Sequence, residues 1–321
     1  MKAIVYTKYG SPDVLQLKEV EKPEPKDNEV LIKIYATSLN ASDVEFLTAS
    51  PSYVRMWGLL KPKYNILGSD IAGKVEAIGK NVTLFQVGDD VYGDVMYRWG
   101  GLAEYVCAPE KSLMLKPSNL SFEDAASIPQ AAVVALQSLN YNEPLKKGQK
   151  VLIIGAGGST GSFAIQIAKA YGAEVTGVDN TEKLEMMRSL GADHVIDYTK
   201  ENFTKNGKQY DLIVGLVTPH SIFDYKRSLN SKGAFVMTGG FVPKLLQTLI
   251  FGSLISVFSN KKMGILMHEQ NKKDLGIINK LYNDGKLVPV IDKKYSLKDA
   301  AKAFQSLIDG KAKGKVVILQ T

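Results

Sequence analysis

The run "VLIIGAGGSTG", Val151 to Gly161, places four glycines between a short apolar stretch and "SFAIQIAKAYGAEV". In that second segment the Phe163/Ile167, Ala164/Ala168 and Ile167/Tyr171 spacings fall on one helical face, so the pattern predicts strand, tight turn and helix. Glycines in such a turn permit positive φ and let the backbone approach a pyrophosphate closely. The free N–H groups at the helix start then stabilise its charge. The strict G-x-G-x-x-G is absent; Ala156-x-Gly158-x-x-Gly161 stands in its place, with Gly155 and Gly157 beside it. The next strand, "AEVTGVD", ends at Asp179, eighteen residues beyond Gly161, where an acid that hydrogen-bonds a ribose belongs. These residues point to a dinucleotide site, against the plainer reading of a structural turn without a ligand.

The surrounding elements favour the site. A helix over "TEKLEMMRSL" stops at Gly191, a third strand "HVIDY" follows, and "YDLIVGLV" and "GAFVMTGG" supply a fourth and fifth. Repeated β-α-β predicts a parallel sheet. Residues 1 to about 117 read differently, as short β-branched strands ("AIVYT", "EVLIKIYATSL", "DIAGKVEAIG", "GLAEYVCAP") joined by Gly, Pro, Asn and Asp turns, which predicts a partly closed β-structure. At Ser121 the pattern becomes helical, opened by a Ser121/Asp124 capping pattern.

A chain of 321 residues accommodates two domains. With 45% hydrophobic and 23% charged residues and no low-complexity tract, the composition is that of a globular protein rather than a disordered one. The single cysteine, Cys107, rules out an internal disulfide framework and a cysteine-rich zinc cluster, and points to a reducing compartment, the cytoplasm by default. No signal-peptide pattern opens "MKAIVYTKYG". The net charge of +7 comes from scattered lysines without interleaved aromatics, so nucleic acid is not expected as a partner. One segment, Phe241 to Phe258, is membrane-like, but Lys244 and Gln247 interrupt it and the apolar remainder is too short to span a bilayer. It is expected to be buried or to contact another subunit, with peripheral membrane contact as the alternative.

Across essentially its whole length the chain resembles the zinc-independent medium-chain dehydrogenases/reductases of the quinone oxidoreductase type. The resemblance is carried by "SLNASD" at 38–43, "ILGSDIAGKVEAIG" at 66–79, "VGDDVYG" at 87–93, "GGLAEYV" at 100–106, the glycine loop, "SLGADHVIDY" at 189–198 and "GKVVI" at 314–318. It implies an α/β protein made of a GroES-like β-rich catalytic domain over 1–120, to which 286–321 returns, and a Rossmann domain with a six-stranded doubly wound parallel sheet over 121–285. It also implies a homodimer. By resemblance, the zinc ligands of metal-dependent relatives fall at Asn40 and Ser69, neither of which replaces a zinc ligand well. Hydride transfer to a quinone or an α,β-unsaturated carbonyl is then the expected reaction, because the charge spreads into a phenolate or enolate that hydrogen-bond donors stabilise.

The resemblance carries Asn40 over as an active-site amide donor and Tyr53 as a cleft residue, with Tyr64 its rival. Asp43 and Asp70 are read as ordering neighbouring backbone. For the cofactor it carries Gly155, Gly158, Gly161 and Gly239; Ser159 and Thr160 replace the usual glycine and valine, and their hydroxyls either bond phosphate or cap the helix. Val134 stands where relatives often have threonine. The adenosine end gives opposed signals: Asp179 suits NADH and repels a 2′-phosphate, whereas Lys183 and Tyr198 match positions that contact that phosphate. NADPH is slightly favoured, without zinc. The competing expectations are a zinc-free enoyl-thioester reductase or alcohol dehydrogenase-like enzyme, and a nucleotide-modulated RNA-binding or structural protein without turnover.

Overall fold

The computed structural model describes residues 1–240 and 242–320. The chain forms two compact units: Met1–Ala131 with Gln270–Gly276 and the segment from Pro289 onward, and Ala132–Glu269 with Ile277–Val288. The first unit runs to Ala131 rather than stopping at 120, because the helix Phe122–Ser127 packs on the first unit's own sheet. The Phe122 ring stacks on Tyr35 at 4.6 Å, and Ser38 Oγ donates to Ala126 O at 2.7 Å.

In the first unit, β1 (Lys2–Val5) and β2 (Gln16–Glu19) form an antiparallel pair. The larger sheet is built on β3 (Glu29–Leu39), whose "EVLIKIYATSL" supplies β-branched residues to a strand with neighbours along both edges. It pairs antiparallel with β4 (Asp70–Ile78), which pairs with β5 (Asp90–Asp94). Then β6 (Tyr105–Pro109) returns to β3 and β7 (Leu113–Leu115) to β5. Val30, Ile32, Ile34, Val75, Val91 and Val106 form one core beneath this sheet.

The second unit holds β8 (Lys150–Ile154), β9 (Glu174–Asp179), β10 (His194–Asp197), β11 (Tyr210–Gly215), β12 (Leu229–Met237) and β13 (Lys262–Ile265). All pair in parallel, in the order β10-β9-β8-β11-β12-β13. Sequence order therefore reverses direction between β8 and β11, and an open α/β sheet binds its ligand at that place, beyond the carboxyl ends of the strands. The sixth strand, "KMGI", is too short and irregular to read from periodicity, although the resemblance implied it.

Two last strands return to the first unit. There β14 (Ile291–Ser296) pairs with β15 (Lys315–Leu319), and β15 lies antiparallel on β3 with Val316 opposite Leu39. That register brings Lys315 to the end of β3, beside Asn40. The β3–β4 register sets Ser38 opposite Asp70.

Of the segment 241–258, Phe241 lies outside the described residues. The rest is one helical run, Val242–Gln247, a π-turn at Thr248–Gly252, then Ser253–Phe258. Only its inner side (Thr248, Gly252, Ile255) is buried, so the expectation of a buried segment fails for the outer side, which is exposed. No helix among the described residues is long and apolar enough to cross a membrane.

Candidate cofactor and substrate sites

The glycine loop joins β8 to the helix Ser159–Ala170 in the second unit. Gly155 has φ +85°, a left-handed conformation suited to glycine. The N–H groups of Gly155 and Ala156 both donate to Val178 O, at 2.9 and 3.1 Å, which fastens the turn to the next strand. Gly161 is required by packing: a Cβ there would lie 2.3 Å from Gly155 O. Gly158 differs from both. It caps the helix at φ −91°, ψ −175°, extended backbone open to any residue, and its nearest neighbour to an added Cβ is Gly155 O at an ordinary 3.5 Å. Nothing in the fold demands a glycine at 158. Space for a close-approaching group does, and Ser159 and Thr160 open the helix whose first-turn N–H groups lack intrahelical acceptors. No side-chain hydrogen bond caps this helix at Gly158, so a phosphate fits here as the acceptor.

Asp179 ends β9 beside the loop, and Gly157 N donates to its Oδ2 at 2.9 Å. Its Oδ1 accepts from Asn180 N at 2.9 Å and lies 3.6 Å from Lys183 Nζ. Both side chains are buried. The sequence presents Asp179 and Lys183 as rival determinants; the structure makes them one ion pair in which each offsets the other's charge. Tyr198 joins them through its backbone, donating to Asp179 O at 3.1 Å, and its own side chain is 58% exposed. Gly239 follows β12 at the same carboxyl edge of the sheet, its carbonyl accepting from Thr218 Oγ1 at 3.3 Å. All nine expected cofactor residues thus sit at the carboxyl ends of β8, β9, β10 and β12.

In the first unit the residues around Asn40 form a buried charged cluster. Asn40 Nδ2 donates to Ser69 Oγ at 3.0 Å and to Asp70 Oδ2 at 2.9 Å, while its Oδ1 accepts from Lys315 Nζ at 2.7 Å. Both amide hydrogens are committed, so in this arrangement Asn40 has none left for a substrate oxygen. It orders the cluster instead. Asp70 also meets Lys315 at 3.3 Å and accepts from Gln130 N at 3.0 Å. Asp43 accepts from Asn40 N and Gly68 N, each at 2.8 Å, which agrees with the reading of both acids as ordering their surroundings. Burial pushes Asp43 up to about 7 against those two hydrogen bonds. It also raises Asp70, opposed by Lys315, and lowers the Lys315 ammonium. Sequence reasoning missed Lys315, although it stands inside the quoted "GKVVI": one lysine near the C-terminus carries no sign of a partner 245 residues away.

Tyr53 lies on the short 3-10 turn Ser52–Trp57 and is 40% exposed. Its phenol is raised first by burial and then by the Glu45 carboxylate. Glu45, on the helix Ala41–Thr48, is itself pushed up to about 7 by burial, and sequence reasoning gave no reason to single it out. Tyr64 belongs to an aromatic cluster, its ring 6.4 Å from both Phe46 and Trp99.

The positions that resemblance gives to zinc ligands therefore hold an amide and a hydroxyl bonded to each other, with a resident ammonium against the amide. Zinc prefers thiolate, imidazole or carboxylate, and a buried ammonium repels a second cation. This donor set does not fit a catalytic zinc. Among the described residues no group of three or more His, Cys, Asp or Glu is placed to hold a metal.

Residues 26–118 match the alcohol dehydrogenase GroES-like domain, 190–318 match the zinc-binding dehydrogenase domain, and 144–220 match the C-terminal domain of alanine dehydrogenase/PNT. The chain is 37% identical over 334 residues to 2-methylene-furan-3-one reductase of Solanum lycopersicum, covering 99% of this chain and 79% of that protein. It is 35% identical over 336 residues to an NADPH-dependent alkenal/one oxidoreductase, chloroplastic, of Arabidopsis thaliana, with the same coverage. The structure of a quinone oxidoreductase from Coxiella burnetii matches it with a TM-score of 0.89 at 30% identity, over 100% of this chain and 99% of that one.

Proposed function

The chain belongs to the medium-chain dehydrogenase/reductase family, among its quinone oxidoreductases and enone reductases, and from that premise we propose that it is a zinc-independent, NADPH-preferring reductase of conjugated carbonyl compounds. The observation that carries the cofactor half is Gly158, a glycine the fold does not need, at the opening of a helix beyond the switch point of a parallel sheet. Gly158 leaves room for a pyrophosphate, Gly155 and Gly161 shape the turn that presents it, and the first-turn N–H groups of the helix meet its charge. The Asp179–Lys183 pair sits at the adenosine end, where lysine cancels the repulsion a bare carboxylate would exert on a 2′-phosphate. Tyr198 lies alongside with an exposed ring.

When bound, a reduced nicotinamide supplies the hydride, delivered to the electron-poor carbon of the conjugated system. The residues here then stabilise and protonate the resulting enolate or phenolate. Tyr53 is the proton donor in this proposal: its raised phenol stays protonated at neutral pH, and Glu45, half-ionised near 7, stands beside it. Asn40 acts at one remove, holding Asp70 and Lys315 in place.

The test is oxidation of NADPH and NADH in parallel, after exhaustive chelation, with quinones, enones and unconjugated ketones. Turnover of conjugated acceptors alone, faster with NADPH, is expected. Activity restored only by added zinc would overturn the metal-free reading. Tyr53→Phe should lower kcat about tenfold or more with an enone while leaving NADPH affinity unchanged; an unaltered kcat would remove Tyr53 from the chemistry.

A further inference from the structure

The helical run Val242–Phe258 in the second unit turns a row of large apolar side chains to solvent. Leu246, Leu249, Ile250, Leu254, Val257 and Phe258 are all exposed, the last two at 75% and 82%. Phe223 widens the row, its ring 5.4 Å from Phe251. An exposed apolar surface of this kind marks a contact with something. Its charge surroundings say what. Between Asp224 and Glu269 the chain has no acidic residue, yet it carries Lys226, Arg227, Lys232, Lys244, Lys261 and Lys262. Lys226, Lys261 and Lys262 belong to the Phe258 end of the row, while Arg227 is paired with Asp224. Lys261 and Lys262 follow the helix after Ser259 and Asn260, and Lys261 Nζ donates to Lys226 O at 2.8 Å and Leu229 O at 2.7 Å, tying the end of the Ile222–Arg227 helix to the end of the row.

We propose that this face docks the protein on an anionic phospholipid bilayer, with the apolar row lying in the interface and the surrounding cations against the headgroups. An amphipathic helix with apolar residues on one side and lysines at its border takes this position, too short to span and held by buried apolar area together with charge attraction. A second copy of the chain is the poorer occupant. A two-fold contact would bring this predominantly cationic surface, whose Asp224 is already paired with Arg227, against itself, setting like charges opposite one another. The inference is independent of the proposed reaction, since none of these residues belongs to the cofactor or substrate sites.

The test is flotation of the full-length protein with vesicles of phosphatidylcholine mixed with phosphatidylglycerol, and with phosphatidylcholine alone. Binding to the anionic vesicles at least about tenfold above the neutral ones, weakened by salt, is expected. The combined Leu254→Asp, Val257→Asp and Phe258→Asp variant should lose about tenfold or more of that binding while keeping the thermal midpoint and the soluble-enone activity of the parent. Lys244→Glu with Lys262→Glu should erase the preference for anionic vesicles. Failure of the parent to float, or flotation of the triple variant equal to the parent's, would overturn the proposal. If the parent sediments as a dimer that the triple variant breaks, and neither floats, the face belongs to a second copy and the proposal is likewise overturned.

Discussion

Replacing Lys315 with methionine tests the buried cluster of the first unit. The Lys315 and Asp70 side chains are both fully buried, 3.3 Å apart, and the ammonium also donates to Asn40 Oδ1 at 2.7 Å. Methionine fills much of the space but leaves the Asp70 carboxylate with hydrogen bonds and no counter-charge. Removing one partner of a buried pair costs about 3–5 kcal/mol, most of it the penalty of the stranded charge. The loss should fall on the first unit, and both tryptophans, Trp57 and Trp99, lie there. Tryptophan fluorescence in urea therefore reads that unit directly, and the midpoint should drop by about 1 M or more. Adding Asp70→Asn to Lys315→Met removes the stranded charge and should recover more than half of the loss. A destabilisation below about 1 kcal/mol, or a double variant no more stable than the single one, would refute the claim that the ion pair is what the lysine provides.

Three further outcomes follow from the same geometry. Gly158→Val should leave folding stability within about 1 kcal/mol, because the site has extended backbone and free space, yet weaken NADPH binding about a hundredfold; unchanged affinity by fluorescence titration would displace the pyrophosphate from the loop. Lys183→Met should leave Asp179 unneutralised and shift the NADPH/NADH ratio of kcat/KM toward NADH by about tenfold; equal losses for both cofactors would deny Lys183 a part in selectivity. Asp43 and Glu45, both raised to about 7 by burial, hold their protons more tightly when folded than unfolded. The stability they contribute is full below their unfolded values near 4, declines as pH rises, and is gone above about 7, so the urea midpoint of the first unit should fall between about pH 4 and pH 7. Glu45→Gln should flatten that fall, and an unaltered slope would assign the titration elsewhere.

The second unit was legible because its signals are local. Apolar strands, helical spacings and turn glycines each act within a few residues of themselves, and together they placed β8 to β12, the loop at 155–161 and Asp179 at a strand end. The sixth strand escaped because four residues carry too little pattern. Asp179 and Lys183 were both singled out, but their spacing alone did not show that they pair, and so two opposed arguments about selectivity turned out to concern one neutralised site.

What lay beyond the sequence was whatever depends on elements far apart in the chain. Spacing could not separate Gly155, kept by its φ, from Gly161, kept by a packed carbonyl, or from Gly158, which the fold leaves free. Nor could it show that the outer side of the 242–258 helix is left uncovered. The residue types at 40 and 69 were enough to argue against zinc. That the Lys315 ammonium sits against Asn40, whose amide donates to Asp70 and Ser69, depends on the antiparallel register of β15 against β3, and such a register is set by packing across the whole sheet rather than by any run of neighbouring residues.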